Sequence, residues 1–309
     1  MRRRRYSAAR FAQAAQAAQA ATPPVGGWPT WAPATPARTP SGDYMHAFRT
    51  YGDFLAAIQG RGVGGRAAWP WERESIGGLD PATMVPATRT LATLGWPAGM
   101  DHVRAITLPA VRTLLAQVVP ASGWTLDVTG AAYEMGEYLS GVPECWQAPQ
   151  VEAVKPVVRI QVDLGLRADI PGRMVTHRGA AVVALTLALQ AAGYVVDVAA
   201  VCGSGVESDH FWVRVPLSDG QGGPLDLNRL VFGLAHPAMV RILLFGLGAE
   251  LCGHAGAAAT HAGGPNPWAA DVALPRMRHD EADWQSLASV TAWVQATYDR
   301  VTQAIGGAA

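Results

Sequence analysis

The chain has few cysteines and few charged residues, and each shortage excludes some classes of protein. Its 309 residues include three cysteines, Cys145, Cys202 and Cys252. Three cysteines cannot form the disulfide framework that stabilises small secreted domains, so we expect a reducing compartment. Half of the residues are hydrophobic and only 16% are charged, which excludes wholesale disorder and allows a substantial core.

The charges that are present balance, so no global field draws the protein to nucleic acid or to an anionic membrane. Lys155 is the only lysine, a bias more typical of a GC-rich genome than of a phosphate-binding surface. Long apolar runs are also missing, because His236, Pro237 and Arg241 interrupt the very apolar stretch 230–251. We therefore expect no membrane span.

The first 40 residues are predicted to form a disordered basic and proline-rich arm. Arginines cluster at Arg2–Arg5, and six prolines lie between residues 22 and 40. The Ala-Gln segment that follows the arginines lacks the Leu-rich region of a signal peptide, so we do not expect secretion. The arm is either a frayed Ala-rich helix without a role or a basic contact, through Arg2–Arg5, to nucleic acid or to a partner's acidic surface.

A βαβ unit between residues 157 and 202 organises the rest. The β-branched run 157–163 predicts a strand, 178–192 an Ala/Val/Leu helix closed by Gly193, and 195–201 a second strand. Two strands joined by a helical crossover of this length lie parallel. The helix is apolar on nearly every face, which indicates that it is enclosed within a layered domain.

The remaining patterns complete an α/β order. Strands are predicted at 209–217 and 272–274, and helices at 226–234, 237–251 and 281–305. The order β-α-β-β-α-β-α predicts a three-layer, Rossmann-like α/β domain over 151–309 with a mostly parallel sheet. Region 41–150 is predicted to be helical and loop-rich and packed on that core, with helices at 43–58, 80–95 and 103–119 and a strand at 124–128.

The candidate binding rim lies where the parallel strands end, because ligands of open α/β sheets bind beyond the carboxyl ends of the strands. There, glycine N–H groups and arginines could hold an anion, or Asp163 and Asp209 a cation. The alternative is an unoccupied rim whose glycines serve turns. The rim candidates are Asp163, Arg167, Arg173, Gly203, Ser204, Gly205, Asp209 and His210.

Two further constellations have partial chemical spacing. Cys202 and His210 could form a nucleophile–base pair, although a cysteine at a strand end is more often a small core residue. Cys252, His254 and His261 provide three of the four ligands of a structural zinc site. The fourth ligand would have to come from elsewhere in the chain, so a surface loop is the simpler explanation, and we expect no metal and no cofactor.

Residues 155–305 resemble a von Willebrand factor A-type domain, especially its bacterial stand-alone versions. An early strand ends in an acidic loop, and an Ala/Leu-rich helix leads to the strand Gly193-Tyr-Val-Val-Asp-Val198. The metal motif of that family, Asp-x-Ser-x-Ser, would coincide with Asp163-Leu-Gly-Leu-Arg167. Only the aspartate matches, so the resemblance implies the fold with the metal motif lost.

The full chain also resembles an uncharacterised family of tailed bacteriophages and prophages. The shared phrases are Gly95-Trp-Pro-Ala-Gly99, Leu139-Ser-Gly-Val-Pro-Glu-Cys145, Arg178-Gly-Ala-Ala181 and Ala235-His-Pro-Ala-Met239. No activity comes with this second resemblance. We expect a non-enzymatic module, an A-domain-like scaffold without the metal motif that docks a protein partner in the host cytoplasm or the virion. The alternatives are a nucleotide- or metal-binding enzyme that uses the Asp163/Gly203 rim, and a virion structural component.

Overall fold

The computed structural model places the chain in a mixed α/β fold, as the alternation of patterns predicts. The residues that the structure describes are 37–38, 44–60, 76–101, 103–105, 124–127, 132–133, 139–140, 146–149, 156–166, 169–206, 209–218, 225–252, 261–262 and 270–306. The predicted arm up to residue 36 and most of the predicted helix 103–119 lie outside these ranges.

The described strands fall into two sheets. In chain order they are β1 (Ala37–Arg38), β2 (Tyr44–Ala47), β3 (Trp124–Asp127), β4 (Ala132–Tyr133), β5 (Trp146–Pro149), β6 (Val157–Asp163), β7 (Val195–Val206), β8 (Asp209–Pro216), β9 (His261–Ala262) and β10 (Val272–Leu274). The larger sheet has the order β1-β2-β8-β7-β6-β10, with β9 added to β7, and the smaller one has the order β3-β5-β4.

Helices fill most of the connections between the strands of the larger sheet. They are α1 (Tyr51–Gly60), α2 (Met84–Leu94), α3 (Gly172–Ala191), α4 (Leu227–Ala235), α5 (Phe245–Cys252) and α6 (Leu287–Gly306). A π-helical segment, Met239–Leu244, leads directly into α5, and a 3-10 turn, Ala282–Trp284, precedes α6. Residues 97–101 form a further short helical stretch.

The central βαβ prediction is confirmed. β6 and β7 pair in parallel from Val157 opposite Val195 to Asp163 opposite Val201, and α3 connects them. β10 is also parallel to β6, and β2 is parallel to β8, whereas β7 and β8 pair antiparallel. The five main strands, β2-β8-β7-β6-β10, are therefore mostly parallel, and the two-residue strands β1 and β9 add antiparallel pairs.

Helix α3 begins at Gly172, six residues before the predicted start at Arg178. The prediction placed Pro171 and Gly172 in a loop. In the structure Pro171 is the N-cap with φ −62°, a value suited to a helix start because the proline ring fixes it in advance. The predicted end is confirmed, since Gly193 has φ 83° and follows directly on the last turn.

The predicted helix over residues 43–58 is wrong in its first half. Tyr44–Ala47 forms β2, in register with Phe211 to Arg214 of β8. The helix starts only at Tyr51, where Thr50 and Asp53 exchange backbone N–H to side-chain oxygen bonds of 3.1 Å in each direction. The pairing with a distant strand thus overrides a helical pattern up to the point where a reciprocal cap allows the helix to start.

The sheet crosses the domain boundary that the sequence predicts at residue 150. β2 belongs to the predicted helical region, yet it is hydrogen-bonded to β8 of the α/β domain. Ala37 and Arg38, inside the predicted disordered arm, pair with Met45 and Tyr44. The described N-terminal elements therefore extend the sheet of the α/β domain.

The two faces of the larger sheet differ in chemistry. The helix-covered face carries Val158, Ile160, Val162, Val196 and Val198, which share one apolar cluster with buried side chains from every described α-helix. Alternate positions form the polar face, which holds the buried residues Gln161, Asp163, Asp197, Trp212 and Arg214. A third layer over the polar face stays a prediction.

Helix α3 packs against α4 on one side and α6 on the other. By length and hydropathy it is the one described helix that could itself cross a membrane, but 78% of its most apolar window is buried inside the protein. α4 and the following helix pass the same test only as a pair, which bends by 74° at the His236–Pro237 break. The apolar surface of α3 is thus buried in the hydrophobic core of the protein.

Replacing Leu185 with aspartate should abolish cooperative folding, because Leu185 in the middle of α3 is completely buried. The loss combines about 2–5 kcal/mol for the missing apolar packing with the cost of an unpaired buried charge. The measurement is soluble yield followed by chemical denaturation, with Ala191→Asp at the exposed end of the same helix as the control. A soluble Leu185→Asp protein with a cooperative transition would contradict the assignment.

Candidate functional site

Asp163 ends β6 on the polar face and binds the chain's own backbone. Its Oδ1 accepts the N–H of Gly165 at 2.8 Å, and its carboxylate also accepts a backbone hydrogen bond from Gly203. The side chain is only 8% exposed. Burial raises the pKa of Asp163 to about 6, while these two hydrogen bonds and the nearby Arg178 and Arg276 act in the opposite direction.

Arg178 reaches the same strand end from α3. One guanidinium nitrogen, Nη1, donates to the main-chain oxygen of Asp163 at 2.9 Å, and Nη2 donates to the main-chain oxygen of Pro275 after β10. Arg178 is 3% exposed. Burial lowers its pKa to about 10, against the attraction of Asp163 and Glu281, so it stays charged at neutral pH. It ties two parallel strands to the helix.

The expected loop at Gly203-Ser204-Gly205 is wrong, because β7 continues to Val206. Gly203, Ser204 and Gly205 pair antiparallel with Trp212, Phe211 and His210 of β8. A Cβ on Gly203 would lie 2.6 Å from the Trp212 ring, so glycine is needed there for the ring to pack on the strand. These glycines belong to the β7–β8 ladder and do not form an anion-binding loop.

The other rim candidates do not gather around Asp163. Asp209 lies opposite Val206, five positions along β7 from Val201, the partner of Asp163, which is roughly 17 Å at about 3.3 Å per residue. The proposed cation between Asp163 and Asp209 is therefore wrong. Arg173 is exposed in the first turn of α3, and Arg167 lies outside the described residues.

The two partial constellations also lack support from the geometry. Cys202 is completely buried, and burial, the largest cause, raises the pKa of its thiol. Its partner on β8 is Val213, three positions from His210. Within the described ranges no three His, Cys, Asp or Glu side chains come together as metal ligands. Cys252 ends α5, His261 pairs with Gly205, and His254 is outside those ranges.

Sequence reasoning missed the ion pair on the polar face. Arg214 Nη2 lies 3.6 Å from Asp197 Oδ2, and both side chains are buried. Burial lowers the pKa of Arg214, and Asp197 opposes that shift. The sequence does contain a signal for this pair. In Val195-Val-Asp-Val198 and in Phe211-Trp-Val-Arg214 the side chains alternate between the two faces of the strand, and both charged residues fall on the same face of the sheet.

Arg276 was also missed, since it follows a strand of only three residues. Its Cδ lies 3.7 Å from where a Cβ of Gly165 would be, and its charge helps to lower the pKa of Asp163. Arg276 is half-buried, and we find no hydrogen-bond partner for it among the described residues. The polar groups around Asp163 are thus two arginines and two backbone N–H groups. These donors favour a negative charge on Asp163, against the effect of burial, and they do not suit a metal cation.

Three of the four sequence phrases on which the expected phage-family resemblance rests meet at one helix junction. The Trp96 ring contacts the His236 ring edge to face at 4.5 Å between centroids. A Cβ on Gly179 would lie 2.4 Å from the main chain of Leu234 and Ala235. Thr176 Oγ1 donates to the main-chain oxygen of Ala235 at 3.1 Å. Most of the fourth phrase, at 139–145, lies outside the described residues.

His236 at this junction is buried and neutral. Its Nδ1 accepts the N–H of Ala238 at 3.1 Å, and burial lowers its pKa to about 4. The unfolded chain binds the proton at about pH 6.5, so the stability that neutral His236 supports is present above that pH and is lost as pH falls towards 4. His236 therefore binds a backbone N–H group at the helix break before Pro237. The three phrases specify how α3 and α4 cross.

The comparisons identify the family without assigning an activity. The family model described as a domain of unknown function, DUF7192, matches residues 78–304. This match covers more than half of the chain, so the protein belongs to the DUF7192 family. No curated protein and no solved structure matches it.

Replacing Gly179 with alanine should destabilise the fold, because the added methyl group would overlap the main chain of α4. We expect a loss of about 2–4 kcal/mol in the free energy of unfolding, an overpacking cost that rigid backbone cannot relieve. Chemical denaturation checks this. Gly52→Ala is the control, since its Cβ meets only Thr50 Oγ1 at 3.5 Å and should cost nothing. Equal stability of the two variants would contradict the crossing.

Proposed function

We propose that this DUF7192 protein is a non-enzymatic protein-interaction module of phage or prophage origin, built on an A-domain-like scaffold without the metal motif. One observation supports this above all: the chemical groups at the strand ends are bound to the chain's own backbone. Asp163 holds Gly165 and Gly203, and Arg178 holds Asp163 and Pro275.

The scaffold part of the proposal rests on topology and on substitutions in the motif. Parallel β6 and β7 joined by an enclosed helix are what an A-type domain requires at its centre. The two hydroxyl positions of the metal motif hold Gly165 and Arg167. At Gly165 a side chain would lie 2.9 Å from Asp163 Oδ1, so even a serine would crowd the carboxylate that it should assist.

The shared phrases favour the same class of function. They converge on the α3–α4 crossing and on His236, where they determine how helices pack. Because these residues serve helix packing, the residues on the surface are free to determine which partner the protein binds. Arg173 is exposed on the first turn of α3, at the end of the sheet where Asp163 lies, and we propose it as part of the docking surface.

The experiment is affinity capture with the full chain from the native host, followed by reconstitution. A captured protein is purified and titrated against wild type, Arg173→Glu and the matched control Arg104→Glu, which is exposed but at a different site. We expect a defined complex that Arg173→Glu weakens at least about tenfold, or 1.4 kcal/mol, and that Arg104→Glu does not change. Failure to reconstitute any complex would contradict the proposal.

A nucleotide- or anion-binding protein is the second candidate, and Arg276 favours it. A half-buried guanidinium that has no hydrogen-bond partner among the described residues could bind a phosphate. Calorimetry of the purified chain with ATP, GTP and inorganic phosphate separates this candidate from the first. Binding that Arg276→Ala abolishes would replace the leading proposal. The virion component is the third candidate, for which a gene position among capsid or tail genes would be the support.

A further inference from the structure

We draw no further inference here: the strongest candidate, the exposed and uncharged face of α2 that carries Thr90, Thr93 and Leu94, is an unpartnered helix face, and nothing in the described part of the chain shows what covers it.

Discussion

The hydrogen bonds of one buried guanidinium, that of Arg178, hold two strands and a helix together at the carboxyl end of the sheet. Arg178 donates to the main chain of Asp163 at the end of β6 and of Pro275 after β10, and it is carried by α3, the helix that connects β6 to β7. Both carbonyl groups lie where the β-ladder ends, so no backbone N–H group of the next strand is there to bind them. A buried carbonyl without a donor costs about 1–3 kcal/mol. Arg178 satisfies two of them, and its charge is balanced by Asp163 and Glu281. The arginine that could have marked a ligand site is thus a structural part of the sheet.

Two buried titratable groups give the fold opposing responses to acid. Asp163 has a raised pKa, so its share of stability is present when it is protonated and is lost as pH rises through about 6. His236 has a lowered pKa, so its share is present when it is neutral and is lost as pH falls towards about 4. The two effects overlap between pH 4 and 6.5 and partly cancel. Global stability can then change little with pH in this interval.

The sequence was most informative where a pattern and its surroundings agree. The apolar run of α3, the β-branched strands on either side and Asp226, which caps α4 by accepting from Arg229 N, all follow from local rules.

The sequence was misleading where a partner that is distant in the chain determines the local structure. Gly203 to Gly205 has the composition of a turn, but β8 supplies a strand partner and Trp212 needs the missing Cβ. Tyr44–Ala47 continues a helical pattern, but β8 makes it a strand. Of the rim candidates, Asp163 and Arg173 lie at the predicted end of the sheet. The two arginines that approach Asp163, Arg178 and Arg276, come from positions about 15 and 110 residues away. No local pattern reports such contacts.

The polar groups at the strand ends serve the framework of the fold, and a variant of Arg178 tests this most directly. The measurement is the free energy of unfolding of Arg178→Met compared with Arg173→Met, which removes an exposed arginine from the same helix one and a half turns earlier. We predict that Arg178→Met loses about 3–5 kcal/mol, since it leaves two carbonyls and a buried carboxyl without their donor and charge partner. Arg173→Met should stay within about 0.5 kcal/mol of wild type. Equal stability of the two variants would show that Arg178 is free for another role, and it would contradict the account.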